Sequence, residues 1–131
     1  MLRHVRVTRE AVAVHYIAGP DELAGIRDAW RRLEDVVALR GRHFFGVVWP
    51  GGVYWAAVKE RPGCDDGDLA AGVIPGGDYA RSRLRGEPPD LYDRIAPTMQ
   101  ALEAAVARDP DRPELEHYRR RDEIDLFVPV A

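Results

Sequence analysis

The stretch HFFGVVWPGGVYWAAVKE, residues 43–60, limits the fold more than any other part of the chain. Two runs of β-branched and aromatic residues flank Pro50-Gly51, which suits the centre of a type II turn closed by Trp49 and Gly52. The segment therefore reads as a β-hairpin. In that register Phe44, Val48, Val53 and Trp55 share one face, while Phe45, Val47, Trp49, Tyr54 and Val58 share the other. Neither face is polar. Each side of such a ribbon needs a cover, whether a helix, a second subunit or a ligand.

The flanking sequence offers covers. AVAVHYIAG alternates Val12, Val14 and Tyr16 with Ala13, His15 and Ile17, which predicts a strand stopped by Gly19-Pro20. DELAGIRDAWRRLEDVVALRG follows, with Leu23, Ile26, Trp30, Leu33 and Val37 at steps of three and four. That spacing is one helical face, with Asp21 placed as N-cap and Gly41 as the C-terminal stop. After the hairpin, RPGCDDGD reads as a loop, and its Asp65, Asp66 and Asp68 as solvated acids.

The same order then recurs: a strand in GVIPGGDYARSRL, a helix, and a terminal hairpin. Leu91, Ile95, Met99, Leu102 and Val106 form the second helical face, which Pro97 interrupts. An interior proline removes a hydrogen bond and crowds the preceding turn, so the helix is expected to kink or restart there, and Pro110 and Pro113 end it. The two helices overlay through Leu33-Glu34 and Leu102-Glu103, with Trp30 opposite Met99. The expected organisation is one domain over 1–131, with module one at about 1–62, a loop at 61–68 and module two at about 69–131.

Composition excludes several classes. With 131 residues, 46% hydrophobic and 31% charged, the chain has the make-up of one globular domain. A net charge of -3 is not that of a dedicated nucleic-acid binder, and Arg31-Arg32 and Arg119-Arg120-Arg121 read as solvated helix and turn residues. One cysteine, Cys64, allows no intrachain disulfide and no thiolate metal cluster, which suits a reducing cytoplasm. No run approaches the roughly 18 apolar residues of a membrane span, and MLRHVRVTRE lacks a signal-peptide core. The expected location is cytoplasmic, without a membrane partner. His4, His15, His43 and His117 show no metal-ligand spacing, Ser82 lies in no nucleophile elbow, and GVIPGGDY lacks the Lys-Ser/Thr of a phosphate loop. Neither metal nor cofactor is expected.

Attention falls instead on Glu116, in the middle of the strand ELEHY beside Leu115, His117 and Tyr118. A mid-strand carboxylate among apolar and aromatic neighbours needs a route to water or a partner. Large rings are in surplus, and aromatic walls around a few polar groups are the usual make-up of a small-molecule pocket. A carboxylate among rings also favours cations. The candidate ligand-binding set is Glu116, Tyr118, Trp55, Tyr54, Phe44, Tyr79 and Phe127. A three-residue terminal turn, Arg120–Asp122, puts Glu116 and Tyr118 on the face of Ile124 and Leu126; a two- or four-residue turn puts them beside Phe127. The competing readings of Glu116 are a solvated edge-strand residue beside Arg119 and a core salt bridge.

These residues carry a resemblance. Pro75-Gly76-Gly77 and Tyr79-Ala80 entering a strand, Gly86 before the helix, Leu115-Glu116 followed by Tyr118, and the ending Ile124-Asp125-Leu126 with Val128-Pro129-Val130 resemble the gyrase-inhibitor-like (GyrI-like) small-molecule-binding domain, also found as the effector-binding domain of multidrug-responsive transcription regulators. The first half matches by element order more than by residue. The resemblance implies an α+β fold of two strand-helix-strand-strand modules with pseudo-twofold symmetry, with two long helices on one face of antiparallel sheet and a ligand cleft on the other. It also implies that Glu116 is the buried glutamate that meets cationic or polar parts of an apolar ligand. Two departures stand out: Thr98-Met99 replaces an aromatic residue in the second helix, and no helix-turn-helix precedes a first strand that begins almost at Met1. Reading DNA would then need another chain.

Three functions from different classes follow. The first is non-catalytic binding of an apolar, cationic small molecule, for sensing or sequestration. The second, implied by relatives of the domain, is hydrolysis of strained-ring, DNA-alkylating natural products, with Glu116 as acid or base. The third is a protein-interaction role resembling gyrase inhibition, which needs a large exposed apolar patch. The residues favour the first, with a small molecule as partner, no direct nucleic-acid contact, and a homodimer or regulatory protein as the further partner in view.

Overall fold

The computed structural model describes residues 2–131. The elements are β1 (Val5–Arg9), β2 (Val12–Pro20), α1 (Leu23–Glu34), β3 (Phe44–Trp49), β4 (Val53–Lys59), β5 (Ala70–Ile74), β6 (Gly77–Arg85), α2 (Asp90–Asp93), α3 (Ile95–Ala105), β7 (Glu114–Arg120) and β8 (Glu123–Pro129). All eight strands join one sheet in the order β1-β6-β8-β7-β3-β4-β2-β5, and each neighbouring pair is antiparallel. The fold is α+β. It divides into two units of the same kind, β2-α1-β3-β4 and β6-α2-α3-β7-β8, which meet in mirrored order at the central β3–β7 pair. That arrangement is the expected pseudo-twofold. The outer strands are exchanged, since β1 pairs with β6 of the second unit and β5 with β2 of the first.

Both apolar faces of the β3–β4 hairpin are covered from within the chain. On one face α1 lays Ala29 and Leu33, with Val37 beyond its end, against Tyr54, Ala56 and Val58. On the same face of the sheet, Leu91 of α2 and Met99 and Leu102 of α3 pack on Ala80, Leu84, Ile124, Leu126 and Val128. On the opposite face the sheet covers itself. Only Glu10-Ala11 joins β1, at one end of the strand order, to β2, near the other, so the sheet curls until those strands meet. Val14, Phe45, Val47, Ala57, Ile74, Tyr79, Leu115 and Phe127 fill the inside of the curl.

Two turns decide which side chains face where. Trp49 pairs with Val53 and Val48 with Tyr54, so the β3–β4 loop is Pro50-Gly51-Gly52, one residue longer than the turn expected from sequence. Gly51 and Gly52 both hold positive φ, 93° and 84°, which side-chain-bearing residues rarely adopt. The extra residue flips β4, because strand alternation has a period of two. Tyr54 and Val58 join Phe44 and Val48 on the helix face, while Val53 and Trp55 join Phe45, Val47 and Trp49 on the inner face. At the terminal hairpin Glu116 pairs with Leu126 and Tyr118 with Ile124, yet Arg120 pairs with Glu123. A tight Arg121-Asp122 turn is combined with an irregularity at Arg119, and together they give the alternation of a three-residue turn.

The helices also depart from expectation at their ends. Glu22, not Asp21, occupies the N-cap position of α1, without a side-chain cap. The helix stops at Glu34, well before Gly41, where Asp35-Val36-Val37 is a run of weak helix formers. The Val36 and Val37 amides turn back onto the Leu33 carbonyl, which keeps Val37 in the core. Leu23, expected in the core, is 64% exposed because α1 starts with it. The second helix breaks at Arg94 and restarts, so Pro97 lies in the first turn of α3, where its missing N–H has no intrahelical acceptor to lose. Asp66 also differs from the solvated acid expected. It is buried between Arg42, at 2.8 and 3.0 Å, and His15 Nδ1, at 2.6 Å. The Arg42 hydrogen bond, helped by His15, holds its carboxyl down at about 2. No described helix is long and apolar enough to cross a membrane.

Leu33→Ala and Leu102→Ala, each at a fully buried position, are expected to destabilise the fold by about 2 to 5 kcal/mol. Leu23→Ala should change stability by no more than about 0.5 kcal/mol. Urea denaturation followed by circular dichroism separates the two classes.

Candidate ligand-binding site

Helix α1 rests on β2 and β4, and α3 on β6 and β8, so the two central strands, β3 and β7, lie under the gap between the helices. The floor of that groove is built from cross-strand pairs: Phe44 with Tyr118, Gly46 with Glu116, and Val48 with Glu114. Alternation sends all six positions toward the helices.

Glu116 is the centre of the arrangement. Its Oε1 accepts a hydrogen bond from the Tyr54 hydroxyl at 2.8 Å and another from the Tyr118 hydroxyl at 2.8 Å. Trp30 Nε1–H of α1 in turn donates to the Tyr54 oxygen at 2.9 Å. Every donor in this chain has an acceptor, and Oε2 alone has no hydrogen-bond partner among the described residues. Burial pushes the Glu116 carboxyl up from its ordinary value; the two tyrosine hydroxyls pull it part of the way back, and the charge of Asp21 adds to the rise. Burial and the adjacent carboxylate push both tyrosines well above the usual phenol range, so they remain protonated donors. Trp30 lies edge-on to Tyr118, ring centres 5.2 Å apart, and tilted over Phe44 at 6.2 Å.

Gly46 makes this meeting sterically open. A Cβ at that position would overlap Glu116 Oε1 and the Tyr54 hydroxyl. A lone glycine in the middle of a β-branched and aromatic strand marks such close approach, which is the signal by which sequence could have placed Gly46 in the site. Trp30 was readable only as a core residue, because its indole N–H partner lies on a strand whose facing depended on a turn.

Of the residues singled out from sequence, the fold brings together Glu116, Tyr118, Tyr54 and Phe44. It does not bring Trp55, Tyr79 or Phe127 to them. Trp55 stacks on Tyr16 across the inner face at 3.7 Å, and Tyr79 meets Phe127 edge-on at 6.0 Å inside the curl. The extra residue in the β3–β4 loop removes Trp55, and the alternation of β8, which aims Leu126 at the helices, removes Phe127. The groove around Glu116 therefore lies on the helix side of the sheet, whereas the resemblance implied the side away from the helices. Glu116 lines neither of two open depressions, of about 340 and 380 Å³, which sit near Arg9 and near His4.

A second acid shares the floor. Glu114 is 5% exposed, and its Oε2 has no hydrogen bond. Burial first, and Glu103 of α3 next, raise its carboxyl to about 8, against the pull of Arg108 at 3.5 Å. With Asp21 acting on both Glu114 and Glu116, the groove is acidic along its length.

The fold has counterparts among solved structures. It is the GyrI-like fold. The integron cassette protein of Vibrio cholerae superposes with a TM-score of 0.78 at 11% identity, over 98% of this chain and 95% of that one. The protein SAV2435, solved bound to tetraphenylphosphonium, gives 0.71 at 13% identity, over 99% and 94%. A hydrolase from Listeria innocua gives 0.56 at 10% identity, over 99% and 92%. No protein-family model and no curated protein matches the sequence.

Gly46→Ala is expected to cost about 1 to 3 kcal/mol by overpacking and to part Tyr54 from Glu116, visible as a changed tyrosine hydroxyl environment in ultraviolet resonance Raman spectra. Glu114 supplies a pH test. Its folded pKa exceeds the ordinary 4.5, so the folded state binds more protons than the unfolded one between about 4.5 and about 8, and stability falls as pH rises through that window. Glu114→Gln should remove that fall, so the stability of the variant relative to the unsubstituted chain should increase from about pH 6.5 to 8 in urea melts.

Proposed function

We propose that this chain binds an apolar, cationic small molecule without transforming it, in the groove between α1 and α3, with Glu116 as the counter-charge. The observation that carries this reading is the state of the Glu116 carboxylate: desolvated, with Oε1 fixed by two tyrosine hydroxyls and Oε2 without a protein donor. A carboxylate in that state gains most from a cation that brings no hydration shell of its own. Phe44, Tyr54, Tyr118 and Trp30 supply ring faces and edges for the apolar part of such a ligand. The charge of Asp21 extends the negative field along the groove, while Glu114, its carboxyl raised to about 8, is mostly protonated at pH 7. Entry of an aromatic ligand displaces Trp30 from Tyr118 and Phe44, so binding is read by tryptophan emission. The shared fold with SAV2435, solved with a lipophilic cation, is consistent with this class of ligand.

A second reading is hydrolysis of a strained-ring electrophile. The raised pKa of Glu116 favours it, since a desolvated carboxyl can act as general acid or base on water, and a hydrolase shares the fold.

Glu116→Gln separates the two. On the binding reading, titration calorimetry with tetraphenylphosphonium shows about tenfold weaker binding in the variant, equivalent to about 1.4 kcal/mol, while a neutral triphenyl analogue binds within about twofold of its original affinity. On the hydrolytic reading, the unsubstituted chain converts a cyclopropane-type electrophile to a product carrying one added water by mass, and the variant binds it without turnover. Equal tetraphenylphosphonium affinity in both proteins, with no product from either, would return Glu116 to a structural role.

A further inference from the structure

The inner face of the curled sheet carries polar chemistry that the groove does not use. Phe45 and Phe127 form a ring platform there, and Arg9 at the end of β1 lies over both, its guanidinium carbon 4.5 Å from the Phe127 centre and 5.5 Å from that of Phe45. Arg9 is partly buried, which lowers its pKa, and it has no hydrogen bond or ion pair with any described residue. Arg81, paired across strands with Phe127, likewise has no hydrogen bond or ion pair with any described residue, and its Nε is buried without an acceptor. His117 stacks on Phe45 at 4.3 Å and 15°, and its Nε2 is buried without a partner.

Three side chains around one pair of rings thus hold N–H donors or a ring nitrogen with no partner among the described residues. The nearest carboxylate is already shared. Asp125 accepts two hydrogen bonds from Arg83, at 2.7 and 3.0 Å, and lies 3.5 Å from Arg119. Glu123 is engaged by Arg85 at 3.0 Å. Arg83, Arg85 and Arg119 share Asp125 and Glu123 between them, which leaves neither acid as a partner for Arg9 or Arg81. A buried cation without a partner is costly, and a cation–π contact offsets part of that cost only. Burial and the charge of Arg9 hold His117 down at about 4, so its ring is neutral at pH 7 and either nitrogen is open to carry the proton. Beside Arg9 opens the depression of about 340 Å³, lined also by Glu10, Val12, Lys59 and Glu60.

We infer that the inner face holds a second site, for a small oxyanion such as a carboxylate or phosphate, bound by Arg9, Arg81 and His117 on the Phe45–Phe127 platform. A guanidinium presents parallel N–H donors that match two oxygens of such an anion, and the rings beneath, whose faces attract the cation, hold the Arg9 guanidinium in place. The site is separated from Glu116 by the sheet itself. It holds whether the groove binds a ligand or cleaves one.

The test uses the full chain. Sodium phosphate and sodium benzoate are titrated calorimetrically against sodium chloride at matched ionic strength, with the arginine Nε–H and histidine ring resonances followed by NMR. Saturable binding of at least one oxyanion is expected, with the resonances of Arg9, Arg81 and His117 moving; which anion saturates tells phosphate from carboxylate. Arg9→Met should weaken that binding by about tenfold or more, the effect of losing charge-assisted hydrogen bonds. Arg121→Met, which removes an exposed arginine paired with Glu87, should leave it unchanged. Should Arg9→Met not fold, Arg81→Gln replaces it, and the resonance map of the unsubstituted chain decides without any variant. Heats no different from chloride, shifts confined to other arginines, or unchanged affinity in both variants would overturn the site.

Discussion

An eight-stranded sheet whose central strands are apolar on both faces has two surfaces to hide and only two helices to hide them with. The chain resolves this by placing both helices on one face and curling the other face onto itself through the two-residue link between β1 and β2. Everything else depends on that division. The helices are too few to roof eight strands, so they settle over the outer pairs and leave β3 and β7 beneath a gap. The inside of the curl becomes a ring-rich core, which consumes most of the aromatic surplus visible in the sequence. The groove is therefore what remains when two helices share a sheet wider than they can cover.

Within that gap Glu116 sits at a balance of opposing terms. Removing a carboxylate from water costs several kcal/mol after relaxation. Hydrogen bonds to a charged group recover about 1.5 to 3 kcal/mol each. Two tyrosine hydroxyls on one oxygen thus offset most, not all, of the cost, and the elevated pKa of Glu116 is the visible remainder. The geometry is held from three directions: β4 supplies Tyr54, β7 supplies Tyr118, and α1 locks Tyr54 through Trp30. Gly46 lets these groups converge without moving the strands apart.

Much of this was legible in the residues and some of it was not, for identifiable reasons. Alternation placed β2, β3, β4, β7 and β8, and steps of three and four placed both helical faces. In contrast, β1 went unread, and the single strand expected in GVIPGGDYARSRL is two, β5 and β6, split at Pro75-Gly76. Pro97 announced the break between α2 and α3. Glu116 stood out because a carboxylate among Leu115, His117 and Tyr118 contradicts its surroundings. What failed was facing. A loop of three residues in place of two between β3 and β4 exchanges Tyr54 for Trp55, and a local irregularity at Arg119 lets a tight turn keep the alternation of a longer one. Local composition specifies a turn far better than its length. Tertiary partners were equally hidden: Asp66 in a Gly- and Asp-rich loop looks solvated until Arg42 and His15, far apart in sequence, are seen to enclose it.

The same alternation explains why a mildly acidic chain presents two faces of opposite character. On β7 the even positions Glu114, Glu116 and Tyr118 face the helices, while His117 faces the inside of the curl. On β6 and β8, Arg81, Arg83, Glu123 and Asp125 fall on the inner side, and Ser82, Leu84, Ile124 and Leu126 on the helix side. A net charge averages over both faces and so conceals the separation. Residue parity along each strand reveals it, once the two turns have fixed which parity belongs to which side. The acidic groove and the arginine-rich inner face are thus consequences of one register. A one-residue slip in the terminal hairpin would send Glu116 among the arginines and remove both features together.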